Sequence, residues 1–209
     1  MAAGPAGRLT IRLQEHFDQL AATWDERVSE DSLGCLRGIV RDLGVRPGHC
    51  VLDIGSGTGV LLPFLTAEMD NRGRIIALDI SAEMLVQARR KDPGSIVDFA
   101  QADAMAIPLA DDSVDLTMCN SAFPHFEDKA AALKEIARIL KDRGKLVVCH
   151  TMSGEMVNRL HESIGGVVAD DRLPDEYRLR EHAADAGLAI THFEDREERY
   201  LVIAEKRPG

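Results

Sequence analysis

The fold is decided by the stretch Val51-Leu52-Asp53-Ile54-Gly55-Ser56-Gly57-Thr58-Gly59, an apolar run followed by three alternate glycines. This pattern predicts a buried strand, a tight turn and then a helix, because glycine permits the backbone conformations that such a turn requires. The unpaired N–H groups at the start of the helix are suited to the polar part of a ligand. We therefore expect a nucleotide-like ligand at this turn.

A dinucleotide-binding turn is the main alternative interpretation of this stretch. Its fingerprint is GxGxxG, whereas Val60 stands where the third glycine is required. An acidic residue, Asp53, also lies within the predicted strand. The spacing thus favours another nucleotide-like ligand over a nicotinamide cofactor, although an oxidoreductase of that kind stays open as an alternative function.

Outward from this stretch, short apolar runs alternate with amphipathic segments. Because parallel strands need crossover helices between them, this alternation predicts an α/β protein with both faces of its sheet covered. The expected strands are Cys50 to Ile54, Arg74 to Asp79, Val97 to Ala100, Val114 to Cys119 and Lys145 to His150, and the expected helices between them are Val60 to Met69, Ala82 to Lys91 and Lys129 to Leu140.

The two ends of the chain depart from this alternation. Before residue 46, apolar residues recur at helical spacing in two segments, from Leu9 to Trp24 and from Leu33 to Leu43. Near the other end, two more helices are expected, followed by two strands joined by a charged turn that is too short for a crossover helix. These elements are Ser153 to Ile164, Asp175 to Ala186, Leu188 to Phe193 and Arg199 to Glu205, with the turn at Glu194 to Glu198.

Five ordered motifs resemble those of the class I S-adenosylmethionine-dependent methyltransferases, in particular the small-molecule branch typified by the ubiquinone and menaquinone biosynthesis enzymes. The resemblance covers about half the chain and implies a Rossmann-like sheet of seven strands, five parallel plus a C-terminal antiparallel hairpin, with S-adenosylmethionine as the cofactor. The motifs are the acidic residue with GxGxG at 53–59, Asp79 to Leu85, Ala102 to Pro108, Ser113 to Leu116 and Ile136 to Leu146.

Several residues are candidate cofactor ligands. Asp79 is expected at the end of the second strand, where a carboxylate accepts hydrogen bonds from a ribose diol, and Asp103 is placed to accept from an adenine amino group. The resemblance implies that Asp53 orders the glycine turn and the methionyl amino group. The full set predicted to bind the cofactor is Asp53, Gly55, Ser56, Gly57, Gly59, Asp79, Ile80, Met84, Asp103, Ala104, Asn120, Ser121, Phe17 and Trp24, with Met105 as a further apolar wall.

Methyl transfer needs a general base only where the acceptor must lose a proton, and histidine is the side chain best suited to that task at neutral pH. His125 and His150 follow predicted strands, whose carboxyl ends should meet at one pocket. His161 would reach that pocket if its helix folded back over the rim. These three histidines are the predicted catalytic residues, whereas His16, His49, His182 and His192 are interpreted as surface residues.

Two metal-related interpretations are alternatives to a catalytic role for these histidines. The same three histidines with Asp170 or Asp171 form a conceivable ligand set, but their spacing matches no local metal motif, so no metal is expected. Cys119 and Cys149 end neighbouring predicted strands. Because some related methyltransferases accept arsenic, an arsenic site there is conceivable, but both cysteines are expected to be buried, which argues against it.

An aromatic pair distinguishes the first segment. Phe17 and Trp24 are seven residues apart and are expected on one helix face. Related small-molecule enzymes have a similar segment that closes over the cofactor, so residues 1–45 are predicted to form a helical lid. Further aromatic candidates for an acceptor pocket are Phe123, Phe126 and Tyr177.

Composition narrows the range of partners. The 209 residues carry 25 basic and 35 acidic side chains, a formal charge of −10, which argues against nucleic acid or an anionic membrane as a partner. Neither a transmembrane stretch nor a secretion signal in Met1 to Gly7 is evident, so a cytoplasmic protein is expected. We predict one methyltransferase domain over 1–209, with a cofactor-binding core at 46–150 and acceptor-side helices and hairpin at 151–209. It would act on a small molecule, and a noncatalytic module that binds S-adenosylmethionine is a second alternative.

Overall fold

The structure is a computed structural model and describes residues 5–91 and 96–209. Residues 1–4, part of the segment in which no secretion signal is expected, lie outside the described residues. The helices are α1 (Pro5–Leu20), α2 (Glu30–Asp42), α3 (Leu62–Glu68), α4 (Ala82–Lys91), α5 (Lys129–Ile139), α6 (Gly154–Ile164) and α7 (Glu176–Asp185). The strands are β1 (Cys50–Ile54), β2 (Arg74–Asp79), β3 (Val97–Gln101), β4 (Val114–Asn120), β5 (Leu140–His150), β6 (Leu188–Arg196) and β7 (Arg199–Lys206).

The seven strands form a single sheet in the order β3-β2-β1-β4-β5-β7-β6. The first five are parallel, and β7 lies antiparallel between β5 and β6. The predicted fold class, with its five parallel strands and C-terminal hairpin, is confirmed. Because β1 and β4 are neighbours although β2 and β3 intervene in sequence, the chain reverses its winding direction beside β1, which is where ligands of such sheets bind.

Apolar side chains cover both faces of the sheet. Leu52 and Ile54 of β1 belong to one buried cluster, and Val51 between them belongs to the other. This alternation follows from the two-residue period of a strand, which places successive side chains on opposite faces. The strands of the parallel part are therefore apolar on both sides, and a charged residue within them, such as Asp53, is an exception that requires an explanation.

Several element boundaries differ from those expected, and three of the differences have a clear structural basis. The first α-helix ends at Leu20 and Trp24 lies in a 3₁₀ helix that follows it, Ala21–Arg27. Strand β5 begins at Leu140, which pairs with Val114, and a register shift before the Leu116–Lys145 pair accommodates the polar residues between them. Strand β6 extends to Arg196, so the turn is shorter than Glu194 to Glu198. Since β6 is an edge strand, its charged end meets water and gives no apolar signal.

Helices long and apolar enough to cross a bilayer are absent from residues 5–91 and 96–209.

Candidate active site

A cavity of about 450 Å³ lies over the carboxyl ends of the parallel strands, and we call it the central cavity. Its floor includes the turn after β1 and the ends of β2 and β4, and α1 and its 3₁₀ extension cover one side. The segment from Thr151 to Asp171, which contains α6, contributes the opposite wall. The volume falls within the range of sites that enclose small molecules.

The glycine turn is shaped by close backbone contacts. The N–H groups of Gly55 and Ser56 donate to the carbonyl oxygen of Leu78 at 2.7 and 3.0 Å. Gly55 has a φ of +68°, and a Cβ built on it would lie 2.2 Å from the Cβ of Ala122. Glycine is thus required at residue 55 for both its conformation and the space it leaves. Gly55, Ser56 and Gly57 line the cavity, whereas Gly59, which is also predicted to bind the cofactor, lies beside Leu62 and Ala88 and does not line it.

Asp79 connects the end of β2 to this turn. Its Oδ2 accepts from the N–H of Gly57 at 2.8 Å, and its Oδ1 accepts from the N–H of Ser81 at 2.8 Å. Burial raises the pKa of Asp79, and these backbone donors partly oppose that rise. The helix cap is a separate group, since the Ser81 hydroxyl accepts from the N–H of Met84 at 3.1 Å. Asp79 lines the cavity and keeps lone pairs available for a ligand.

Asp53 is buried behind the glycine turn. Neither of its carboxylate oxygens has a hydrogen-bond partner among residues 5–91 and 96–209, and the side chain is 1% exposed. Burial, together with the charge of Asp79, raises the pKa of Asp53 to about 8. A buried carboxyl without partners is costly, and Asp53 lies next to the cavity-lining Ile54 and Gly55 without lining the cavity itself.

The next side of the cavity is suited to a planar base. Asp103 follows β3 and lines the cavity, and its Oδ1 accepts from the N–H of Met105 at 2.9 Å. The walls here are apolar and include a fully buried Met84. The predicted residues that line this side are Ile80, Met84, Asp103, Ala104 and Met105.

The end of β4 supplies a polar corner. Asn120 and Ser121 line the cavity, and Ser121 has a φ of +58°, an unusual conformation for a residue other than glycine. The Ser121 hydroxyl donates to Oδ1 of Asn120 at 3.4 Å. Backbone strain at such a point is typical of functional sites, where the surrounding structure maintains it.

The N-terminal segment closes over the glycine turn. The rings of Phe17 and Trp24 are in edge contact at 5.7 Å, although they lie in different helices, and both line the cavity. The segment is held down by carboxylates: Asp18 accepts from the Ser81 hydroxyl, and Asp25 accepts from the hydroxyl of the buried Thr58 at 2.6 Å. The lid prediction for residues 1–45 stays a prediction, but these contacts place part of that range over the turn.

Three predicted histidines meet at the other end of the cavity. His125, His150 and His161 all line it, and the ring centroids of His125 and His161 are 4.7 Å apart. Nδ1 of His125 lies 2.6 Å from Oδ2 of Asp171, and Nδ1 of His161 lies 2.8 Å from the Asp171 carbonyl oxygen. Helix α6 does fold back over the rim, and Gly165 and Gly166, with φ of +71° and +66°, form the bend after it.

His150 is the most deeply enclosed of the three. It is 3% exposed, its ring is in edge contact with Tyr200 at 5.8 Å, and its Nε2 has no hydrogen-bond partner among the described residues. Burial, with the nearby His125 and His161, lowers the pKa of His150 to about 3. Burial also lowers the pKa of His125, against the opposing effect of Asp171. Both imidazoles are therefore neutral near pH 7.

Comparisons with known proteins agree with this geometry. A family model described as a methyltransferase domain matches residues 52–148. The ubiquinone/menaquinone biosynthesis C-methyltransferase of Hahella chejuensis is 34% identical over 207 residues, and the match covers 85% of this chain and 83% of that relative. The chain belongs to the class I S-adenosylmethionine-dependent methyltransferases. Its cofactor is S-adenosylmethionine, and the unpartnered Asp53 and the glycine turn fit a ligand that carries an amino group and a nucleoside.

Two further likenesses bear on this methyltransferase. An uncharacterized methyltransferase-like protein of Schizosaccharomyces pombe is 45% identical over 130 residues, 62% of this chain, and the chain spans only 49% of the length of that relative. The crystal structure of an S-adenosylmethionine-dependent methyltransferase from Aquifex aeolicus is 21% identical, with a TM-score of 0.70 over 92% of this chain and 97% of that one. The second likeness is one of fold.

Some expectations for the methyltransferase were wrong. Phe123 is fully buried in the core and Tyr177 is 76% exposed, so neither lines the central cavity, whereas Phe126 does. His16, interpreted as a surface residue, lines the cavity beside Phe17. The sequence does indicate this placement of His16, because about one helical turn separates it from the apolar residues Leu13 and Leu20 of the same helix.

The described residues do not support the metal-related interpretations. Within residues 5–91 and 96–209, no group of three or more His, Cys, Asp or Glu side chains has an arrangement that holds a metal ion. Cys119 and Cys149 are both fully buried, and they belong to the clusters on opposite faces of the sheet. The two thiols therefore do not point to one shared arsenic site.

Asp171 is the residue whose role sequence reasoning missed. The sequence offers Asp171 only as a conceivable metal ligand. It gives no sign of the contact with His125, because Asp171 lies far along the chain from that histidine, in a segment with no strand or helix pattern. The contact depends on how α6 and the loop after it pack across the sheet.

Proposed function

We propose that the methyltransferase transfers the methyl group of S-adenosylmethionine to a small-molecule acceptor by in-line displacement. The observation that carries this proposal is that the glycine turn and three histidines share one cavity. A lone pair of the acceptor forms a bond to the methyl carbon while the carbon–sulfur bond breaks. That bonding pair stays on sulfur, which becomes a neutral thioether, and any proton lost by the acceptor passes to a base.

The cofactor is held in the half of the cavity formed by the glycine turn, Asp79, Asp103, Asn120 and Ser121, which we call the glycine-turn half. Asp79 accepts from the ribose hydroxyls and Asp103 from the adenine amino group. Asp53 and the end of β4 bind the methionyl amino group. A cationic amino group beside Asp53 favours its ionised form, so binding at neutral pH would release a proton from a carboxyl whose pKa is about 8.

The acceptor lies in the half formed by His125, His150, His161 and Asp171, which we call the histidine half. Catalysis comes chiefly from holding the acceptor in line with the methyl group and from excluding water. Where the acceptor must be deprotonated, a neutral imidazole accepts the proton. The wall formed by residues 151–171 encloses the site and so favours a small acceptor over a macromolecule. The acidic net charge of the chain and its likeness to the ubiquinone/menaquinone biosynthesis methyltransferase of Hahella support a small-molecule acceptor as well.

Labelled cofactor tests the proposal. The protein is incubated with a metabolite extract and S-adenosylmethionine that carries an isotopically labelled methyl group, and the products are found by mass spectrometry. We expect one or more small labelled products and an equal amount of S-adenosylhomocysteine. Cofactor binding by calorimetry without any labelled product, across extracts that support a control methyltransferase, would favour a noncatalytic module instead.

The ribose assignment has its own test in Asp79→Ala. Loss of hydrogen bonds to a charged acceptor should weaken S-adenosylmethionine binding by about 1.5–3 kcal/mol. The same change frees the Gly57 N–H, so melting temperature is measured in parallel. Asp98→Ala, which removes an equally charged but exposed carboxylate from β3, should bind as the wild type does. Unchanged affinity in Asp79→Ala with a normal melting temperature would exclude the assignment.

A further inference from the structure

Residue 171 contacts two histidines of the central cavity through two different groups. Its side-chain Oδ2 is 2.6 Å from Nδ1 of His125, and its backbone oxygen is 2.8 Å from Nδ1 of His161. The carboxylate–imidazole pair is mostly buried, with side-chain exposures of 20% for Asp171 and 13% for His125. A contact this short and this enclosed is stronger than an exposed ion pair, which solvent weakens.

The acceptors in these two contacts determine which ring nitrogen carries the proton. A carbonyl oxygen accepts hydrogen bonds and never donates, so the imidazole of His161 has a proton on Nδ1. An ionised carboxylate likewise only accepts, so His125 also carries its proton on Nδ1. In both rings Nε2 then bears the lone pair, which is the form of imidazole that acts as a base.

The backbone around Asp171 is fixed independently of the histidines. The N–H of Asp171 donates to the carbonyl oxygen of Val168 at 3.1 Å. Two residues later, Leu173 is held by both groups of the Asn158 amide: its N–H donates to Oδ1 at 2.8 Å, and its carbonyl oxygen accepts from Nδ2 at 3.4 Å. Asn158 lies in α6, so these hydrogen bonds tie this segment to the helix that carries His161.

The turn that carries His125 is held from the other side. Lys129 Nζ donates to the carbonyl oxygens of Pro124 and Phe126, at 2.9 and 3.1 Å, on either side of the histidine. The edge of the Phe17 ring packs against the His125 ring at 5.0 Å. The backbone and the ring of His125 are both restrained by these contacts, which favours a single orientation of the imidazole toward Asp171.

We propose that Asp171 is the positioning residue of the acceptor site: it holds His125 with the proton on Nδ1, so that Nε2 takes the proton of the acceptor, and its charge stabilises the imidazolium that results. This inference rests on the proposed function, and it separates the roles of the histidines. His125 is the base. His150, which has no carboxylate partner among the described residues and is the harder to protonate, remains neutral throughout.

The first test needs no acceptor and no variant. Nitrogen-15 NMR of the histidine rings in the wild type reports which ring nitrogen is protonated. We expect neutral His125 to carry its proton on Nδ1. A proton on Nε2 instead would overturn the proposal.

The second test compares Asp171→Asn with Asp170→Asn, which removes the same charge from the exposed neighbouring residue. The groups that face His125 are Asp171, His161, His150 and Lys129, and His16 lies close to Asp171. Of these, only Asp171 is changed, so in Asp171→Asn the pKa of His125 should fall because the imidazolium loses its partner. In Asp170→Asn it should match that of the wild type. An equal pKa in all three proteins would contradict the inference.

Kinetics then separate this inference from the proposed function. Once labelling has identified an acceptor, Asp171→Asn should lower kcat by about 10²-fold or more, with cofactor affinity unchanged, and Asp170→Asn should retain wild-type kcat. Wild-type kcat in a folded Asp171→Asn would refute the positioning role alone. If even the wild type forms no labelled product, the proposed function fails while the NMR result still decides how Asp171 and His125 interact.

Discussion

The two halves of the central cavity are built in different ways. In the glycine-turn half, the key groups are backbone atoms and carboxylates at the ends of β1 and β2, and one unbroken stretch from 51 to 59 forms its centre. In the histidine half, the key groups are side chains from four separate segments, at residues 125, 150, 161 and 171. The first half depends on local conformation, whereas the second depends on tertiary packing, and the two should respond differently to perturbation.

The largest expected effect concerns the hairpin that flanks the histidine half. Truncation after Gly187 removes both β6 and β7, which exposes the edge of β5 and deletes Tyr200, the packing partner of His150. We expect an insoluble or molten protein, because apolar surface and unpaired strand groups become exposed. Solubility and cooperativity of urea unfolding measure the outcome, with truncation after Lys206 as the control. A cooperative, soluble fragment would show that the hairpin is an appendage.

The next effect separates the two halves by function. His125→Ala should lower turnover by about 10²–10⁴-fold with little change in S-adenosylmethionine binding, because the backbone groups and carboxylates of the glycine-turn half are unchanged and only the ring contact with Phe17 is lost from the N-terminal segment. Turnover is measured with the acceptor found by labelling, and binding by calorimetry. His192→Ala, at an exposed position of the edge strand, is the control and should leave both quantities unchanged. Normal turnover in both His125→Ala and His150→Ala would exclude these two histidines as the base.

Substitution of two glycines in the same turn tests the glycine-turn half. Gly55→Ala and Gly57→Ala both place a side chain at positive φ, which costs about 1–2 kcal/mol. Only the first also forces a Cβ to within 2.2 Å of Ala122, whereas the nearest atom to the second is Trp24 Nε1 at 3.8 Å. Gly55→Ala should therefore destabilise the protein by about 1–3 kcal/mol more than Gly57→Ala, measured by urea unfolding. Equal losses would mean that the segment around Ala122, which follows β4, moves aside at no cost.

The smallest effect is a pH dependence that arises from His150. Its pKa is about 3 in the folded protein and ordinarily near 6.5, so between these values the unfolded chain binds a proton that the folded protein does not. The free energy of unfolding should thus fall as the pH is lowered from about 7 to 5, by about 2 kcal/mol from this group. His150→Asn should show a shallower decline over the same range. Asp53 titrates in both proteins and cancels in the difference, so identical slopes would show that His150 is not the source.

The difference between the two halves also explains what the sequence could predict. The sheet, its order of elements and the glycine turn follow from local patterns of apolar residues and glycines, so they were predicted closely. Asp171 has no such pattern, and its place beside His125 depends on the bend at Gly165 and Gly166 and on the Asn158 clamp. The early start of β5 was missed for a related reason: charged residues on an irregular strand resemble a loop.

The position of β7 has a consequence for how the chain is made. Five parallel strands and the glycine turn are complete once residue 150 has been synthesised, but β5 keeps an open edge until residues 199–206 have followed. The residues of the glycine-turn half and the three histidines are therefore all synthesised before the strand that completes the surroundings of His150. When β7 lies between β5 and β6, Tyr200 is beside His150. Completion of the histidine half thus depends on a strand that follows all of its other residues in the chain.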